Sequence, residues 1–134
     1  MTLIPIEPVA ASRPRVTRHA TFYPKRYTVF KAACKDYLSL THKMPILEGA
    51  VRLSVVFDMP IPKSWGKKRK SEAEGSYHTS KPDSDNLQKA LLDAMNGIVF
   101  EDDSQVADIR AVKRYAITGG IWYKVEPILN TEQK

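Results

Sequence analysis

The run Val51-Arg52-Leu53-Ser54-Val55-Val56-Phe57 largely alternates apolar with polar side chains and is rich in β-branched residues. It constrains the fold more than any other segment. Successive side chains of a strand point to opposite faces, so this run reads as a strand with one face in a core. From Pro24 to Leu40, Tyr27, Phe30, Ala33, Cys34, Tyr37 and Leu38 recur at three- and four-residue steps, which predicts a helix with Pro24 near its start. Ser84 to Asn96 repeats the pattern with Leu87, Leu91 and Ala94, and Gly97 is placed to cap it. Thr2 to Val9 suits a first strand that Pro5 and Pro8 confine to an edge or shorten. Gln105 to Ile117 reads as a strand, Gly119-Gly120 as a tight turn, and Ile121 to Ile128 as its hairpin partner. The order β-α-β-α-β-β describes an α+β fold, a single domain over residues 1–134 with a mainly antiparallel sheet packed by two helices.

Two segments fall outside that pattern. Ser12 to Phe22 is expected as a basic loop, and Ile61 to Pro82 as a long basic connection of the kind that is usually functional or disordered inside a domain.

The 134 residues carry a formal net charge of +6, which favours nucleic acid or an anionic membrane as partner. No stretch approaches the roughly 18 apolar residues of a membrane span. Met1-Thr2-Leu3-Ile4-Pro5 lacks the basic start and apolar run of a secretion signal, so a cytoplasmic protein is expected. The single cysteine, Cys34, forms no internal disulfide and reads as a core helix residue; no Cys/His spacing suggests zinc.

Charge is unevenly spread. Asp83 to Asp108 holds seven acids (Asp83, Asp85, Asp93, Glu101, Asp102, Asp103 and Asp108) against one base, Lys89. Pro8 to Lys35 holds seven Lys or Arg and no acid. A dense acidic patch on a polyanion-attracting surface makes sense when a cation masks it. Asp83 and Asp85, at a helix entrance with one residue between them, are placed to reach one ion, and Lys89 lies one helical turn beyond Asp85. Asp102 and Asp103 precede a strand, and a helix-strand return is expected to bring them back to the helix start. Phosphodiester hydrolysis needs an activated water and an offset for charge growing on phosphate, and Mg²⁺ held by two or three carboxylates serves both. A nearby lysine adds positive charge at the transition state. The plainer account makes Asp83 or Ser84 an N-cap, Asp85 a partner of the helix dipole and Asp85–Lys89 a surface ion pair.

Two basic stretches are candidates for phosphate contact. One is Arg13, Arg15, Arg18 and His19 with Lys25 and Arg26, beside Phe22 and Tyr23; the other is Lys67-Lys68-Arg69-Lys70 after Trp65, with Lys81 beyond. Trp65 is expected to pack its loop, His78 to hold neither phosphate nor metal, and Trp122 and Tyr123 to belong to a core or an interface.

The runs Asp83-Ser84-Asp85-Asn86-Leu87-Gln88-Lys89-Ala90, Asp93-Ala94 and Asp102-Asp103-Ser104-Gln105-Val106 resemble the RusA family of Holliday junction resolvases. The basic Arg13-Pro14-Arg15 loop, the helix, a strand ending near Pro60 and the terminal hairpin follow the same order, so the resemblance spans nearly the whole chain. It implies a RusA-like fold and a homodimeric, Mg²⁺-dependent endodeoxyribonuclease, with Mn²⁺ as an alternative ion. Such an enzyme binds four-way DNA junctions and nicks two opposing strands in bacterial recombination or repair, or in a phage-infected cell. The family's metal-binding carboxylates match Asp83, Asp85 and Asp103, with Asp102 as a substitute, and its helix lysine matches Lys89. The chain departs from the family in a longer connection from Ile61 to Lys81, which bears on junction selectivity. A non-catalytic phage DNA-binding protein is the alternative. A PD-(D/E)xK nuclease ranks low because Asp103-Ser104-Gln105 lacks the lysine.

Overall fold

The alternating run forms the first seven residues of β4 (Val51–Pro60), an inner strand of a four-stranded sheet. In this computed structural model residues 1–22 and 24–129 are described, save the side chains of Arg15 and Phe22; Tyr23 and residues 130–134 lie outside. Val51, Leu53, Val55 and Phe57 of β4 are each at most 1% exposed. They face two helices, α1 (Lys25–Thr41) and α3 (Ser84–Met95). The helices answer with Tyr27, Phe30, Cys34 and Leu38 from α1 and Leu87, Ala90, Leu91, Ala94 and Met95 from α3, joined by Val99 and Phe100 in one core. Each large side chain fully withdrawn from water there contributes roughly 1.5–3 kcal/mol. Lys35 on α1 donates to the carbonyl oxygen of Asn96 at 3.1 Å, placing a cation at the C-terminal end of α3 where its dipole favours one.

The sheet order is β1 (Thr2–Ile4), β6 (Gly120–Pro127), β4, β5 (Val106–Ala116). Two of the three junctions are antiparallel and β4–β5 is parallel, so the sheet is mixed but mainly antiparallel, and the fold is α+β as expected.

Several expectations change in detail. The first strand stops at Ile4, where Pro5 removes a donor. The basic loop from Ser12 holds a small hairpin, β2 (Arg15–Val16) with β3 (Thr21–Phe22), closed by Thr17 and Ala20. Gly97 has φ of 80° and Ile98 N–H donates to the Met95 carbonyl at 3.1 Å, so the glycine serves a turn beyond the helix end.

The terminal hairpin is the main correction. β5 and β6 do not pair; β4 lies between them, and residues 117–119 cross over its end. The two glycines serve close approach instead of a tight turn. A Cβ on Gly119 would come within 3.1 Å of the Glu7 side chain, and one on Gly120 within 3.0 Å of Leu3. Local turn chemistry suggested a hairpin, while the β-branched richness of β4 claimed the central place.

The Ile61–Pro82 connection is also more ordered than expected. It contains a short helix, α2 (Lys67–Ala73). Its later part then lines the outer edge of β5, with Gly75 N–H to the Tyr115 carbonyl at 2.8 Å, Tyr115 N–H to the Ser76 carbonyl at 2.9 Å and His78 N–H to the Lys113 carbonyl at 3.0 Å. Among the described residues no helix is long and apolar enough to cross a membrane.

Candidate active site

Asp83 stands at the N-cap position of α3, yet its side chain makes no capping hydrogen bond. The Ser84 hydroxyl accepts from the Gln88 side-chain amide at 3.1 Å, so it does not cap either. The Asp83 carboxylate turns outward and accepts from Lys81 Nζ at 2.9 Å. That hydrogen bond, then the Lys81 charge, and more weakly Lys113, hold its pKa below the usual carboxylate range, so it is ionised at neutral pH. Asp85 is exposed in the first turn and accepts from the Asn86 N–H at 2.9 Å. The N-terminus of α3 therefore presents two anionic side chains that the helix does not use for its own capping.

Lys89 does not pair with Asp85. It reaches forward to Asp93 at 3.5 Å, and Asp93 also accepts from the Tyr27 hydroxyl at 2.5 Å, a contact that joins α1 to α3. Beside this pair opens a cleft of about 610 Å³ lined by Arg13, Pro14, Tyr27, Lys31, Asn86, Lys89 and neighbours. The Ala11 N–H donates to the Asn86 carbonyl at 2.9 Å and pins the Arg13 segment against the first turn of α3. Arg13, Lys31 and Lys89 thus converge on one cleft with Asp93, and Asn86, next to Asp85 in the chain, lines it as well. Tyr27 entered the sequence reading only as one of the apolar helix stripe and Lys31 not as a site residue, because helical spacing marks the buried face alone; only a packed α1–α3 pair shows which polar groups border the cleft.

Asp102 and Asp103 sit at the opposite end of α3. A 3₁₀ turn (Asp103–Gln105) leads into β5, and Asp102 caps it by accepting from the Ser104 N–H at 2.9 Å. Gln105 reciprocates, its side-chain oxygen accepting from the N–H groups of Glu101 and Asp102 at 2.9 and 3.0 Å. Its amide donates to the carbonyls of Leu47 and Gly49. The Asp-Asp-x-Gln run is thus a capping box that anchors the start of β5 to the start of β4. Ser104 also keeps the Asp102 carboxyl below its ordinary pKa. Asp102 is occupied by the cap, and Asp103 is the half-buried neighbour beside it.

The expected return to the helix start does not occur within one chain. The 12 residues of α3 span about 18 Å at 1.5 Å each, with Asp83 and Asp85 at one end and the Asp102 turn past the other. Among the described residues no three Asp, Glu, His or Cys side chains gather closely enough to hold one ion. Asp83 and Asp85 supply the hard oxygen donors that suit Mg²⁺, and among the described residues no third carboxylate joins them.

The other basic candidates lie around this region. Arg18 is exposed at the β2–β3 tip, and the side chain of Arg15 lies outside the described residues. Lys67, Lys68, Arg69 and Lys70 stand on α2, where the Arg69 guanidinium lies 3.6 Å from the ring centre of Trp65. Trp65 packs in turn on Tyr115 at 5.4 Å, and His78 on Tyr115 at 4.6 Å, so both are packing residues. Trp122 donates to Asp58 at 3.0 Å on the sheet face away from the helices, and Tyr123 is buried.

The model of the family described as endodeoxyribonuclease RusA matches residues 5–126. The protein YqaN of Bacillus subtilis strain 168 is 36% identical over 118 residues, covering 82% of this chain and 83% of that one. The shared span takes in β4, α3, the Asp102 capping box and β5 together, and this chain belongs to the RusA endodeoxyribonuclease family.

Proposed function

We propose that this protein is a Mg²⁺-dependent endodeoxyribonuclease that resolves four-way DNA junctions by paired nicks, acting as a homodimer in the cytoplasm of a bacterial cell. The observation that carries the reading is Asp83: a carboxylate at a helix N-cap that caps nothing, is held ionised, and stands one residue from a second exposed carboxylate beside a basic cleft.

Asp83 and Asp85 would hold the ion, with Asp103 as third donor in preference to the capping Asp102. Bound there, Mg²⁺ (or Mn²⁺) supplies a Lewis acid and an activated water. The chain's own groups do the rest. Arg13 and Lys31 in the cleft orient a backbone phosphate, and Lys89 adds positive charge beside the scissile group. Arg15, Arg18 and Lys81, with Lys67, Lys68, Arg69 and Lys70 on α2, grip flanking phosphates and position the duplex arms. Because Asp103 lies at the far end of α3 in its own chain, the third donor comes from a second copy. A homodimer also suits the substrate, since two equivalent cuts on a two-fold junction call for two equivalent sites.

The test is to incubate synthetic four-way, three-way and linear duplexes with the protein, with Mg²⁺ or with a chelator, and map the nicks. Symmetric paired nicks confined to the four-way junction and to Mg²⁺ are expected. Junction binding without cutting in any divalent ion would leave a non-catalytic DNA-binding protein.

A further inference from the structure

The connection from Ile61 to Pro82 builds a second cleft, separate from the one beside Lys89. The short helix α2 buries none of its residues, and a helix of seven residues is marginal by itself. A stack of side chains holds it in place. The Arg69 guanidinium lies over Trp65, and Trp65 packs on Tyr115 of β5. Between α2 and the chain at Ile61 and Ile117 opens a cleft of about 440 Å³, within the roughly 300–1,000 Å³ of small-ligand sites.

The lining of this cleft has two kinds of chemistry. Ile61 and Ile117 are its apolar part, and the Ile61 N–H donates to the Ala116 carbonyl at 2.9 Å, which sets the two side by side. Ile61 is nearly buried, while Ile117 is 69% exposed although it is large and apolar. The other part is cationic. Lys67, Lys70 and Ser71 follow one another at three- and four-residue spacing, on one face of α2, and Lys63 joins them from the chain before the helix. Glu74 continues the same face just past the helix end. Among the described residues none of the three lysines has an ion-pair or side-chain hydrogen-bond partner. Three cations against one carboxylate suit an anion, and the two isoleucines suit an anion that carries an apolar surface.

We infer that this cleft takes one unstacked deoxynucleotide, with the base on Ile61 and Ile117 and the phosphate on Lys63, Lys67 and Lys70. A stacked duplex keeps its base faces inside and has nothing to lay on the isoleucines. A base that has left the stack exposes its faces, and apolar side chains hold extruded bases in this way. The inference rests on the DNA-binding part of the function proposed above, and it gives Lys67 and Lys70 a more specific task than contact with a duplex arm. Branched DNA supplies such nucleotides where strands part. Lys113, which donates to the Pro82 carbonyl just before Asp83, precedes Ile117 by four residues, about 13 Å of extended chain. One strand thus carries both the support of the carboxylates and a wall of the cleft.

The test is binding of two labelled single strands, followed by fluorescence anisotropy in the presence of a chelator so that nothing is cut. One is an oligothymidylate, the other an abasic oligomer of the same length and charge. Wild type is expected to bind the oligothymidylate about 10-fold more tightly. Ile117→Ser should remove most of that preference and leave affinity for the abasic oligomer unchanged, and Ile117→Phe should keep it. Because Ile117 is exposed, far-ultraviolet circular dichroism of both variants should match wild type. Lys67→Ser and Lys70→Ser should weaken both oligomers alike and lower the salt dependence of binding. Arg18→Ser, outside the cleft, should leave the preference intact. Equal affinity of wild type for the two oligomers, no binding of either, or a preference that survives Ile117→Ser would each overturn the inference. A protein that shows the expected preference yet cuts no junction would overturn the nuclease reading alone. One that nicks four-way junctions but binds both oligomers equally would overturn the nucleotide cleft alone.

Discussion

Lys113, in the body of β5, donates to the carbonyl oxygen of Pro82 at 2.8 Å and to that of Ser80 at 2.7 Å. A rigid strand thereby fixes the backbone immediately before Asp83. Groups that orient ion-binding side chains from behind typically change metal affinity or activity by about 10- to 100-fold when removed. Lys113→Met is expected to raise the Mg²⁺ concentration needed for half-maximal junction cleavage within that range, with junction binding changed far less. Lys113→Arg should recover part of the loss. A Mg²⁺ titration of cleavage checks this, and an unaltered midpoint for Lys113→Met would remove the positioning role.

Asp83→Asn should abolish Mg²⁺-dependent cleavage and leave junction binding intact, because the side chain is exposed and supports no cap. Undiminished cutting would withdraw Asp83 from the site.

Complementation tests the shared site directly. If each site takes Asp83 and Asp85 from one chain and Asp103 from the other, a mixture of Asp83→Asn and Asp103→Asn proteins forms heterodimers with one intact site and one doubly altered site. Each parent alone is inactive, while the mixture nicks one strand per junction. An inactive mixture of proteins shown to exchange subunits would place all three carboxylates in one chain.

How much of this was legible in the sequence depends on the range of the interaction involved. α1, α3 and the strand core from Val51 to Phe57 were legible because side-chain period is a local property. The place of Asp83 and Asp85 at the start of α3 was legible too, since cap positions and helix spacing are local. The neighbour of β5 was not. Gly119-Gly120 has the composition of a hairpin turn, and only the approach of Glu7 and Leu3 shows why glycine stands there. Separation was misjudged for the same reason: Asp103 follows Asp83 by a helix and a turn, and one helix length divides them. The partner of Lys89 also lay outside local rules, because i,i+4 spacing permits Asp85 and Asp93 equally, and Tyr27 from α1 fixes Asp93 in place.

Asp58 is buried on the sheet face away from the helices, accepting from Arg114 at 2.6 Å and Trp122 at 3.0 Å. It ties together β4, β5 and β6. Replacing it by alanine leaves an indole N–H and a guanidinium without their acceptor, a loss of about 2 kcal/mol. Chemical denaturation of Asp58→Ala should show that decrease with an unchanged m-value. A variant as stable as wild type would mean that water replaces the carboxylate at no cost.

Two half-buried histidines and one buried cysteine help to set the pH range of stability. Burial lowers the pKa of His42, whose Nδ1 lies 3.0 Å from the Tyr123 hydroxyl, and of His78, where the Lys113 charge adds to the effect. A group whose pKa is depressed on folding contributes stability above its unfolded value of 6.5, and that contribution is lost as pH falls below it. Cys34 is opposite in sense, since burial pushes its thiol from 9.0 up to about 12. Its contribution is complete below pH 9.0 and is lost as pH rises toward 12. Urea midpoints are therefore expected to be flat from pH 7 to 9 and to decline on both sides. Cys34→Val should reduce the alkaline limb and leave the acid limb unchanged, because valine fills similar volume and does not ionise. The part that remains comes from Tyr123, whose hydroxyl is also pushed up in pKa by burial. The native thiol should also resist dithionitrobenzoate at pH 8 and react fully in urea, since the thiolate is the attacking species. Labelling of the folded protein at the rate of a free thiol would show that Cys34 is accessible and that the alkaline limb has another source.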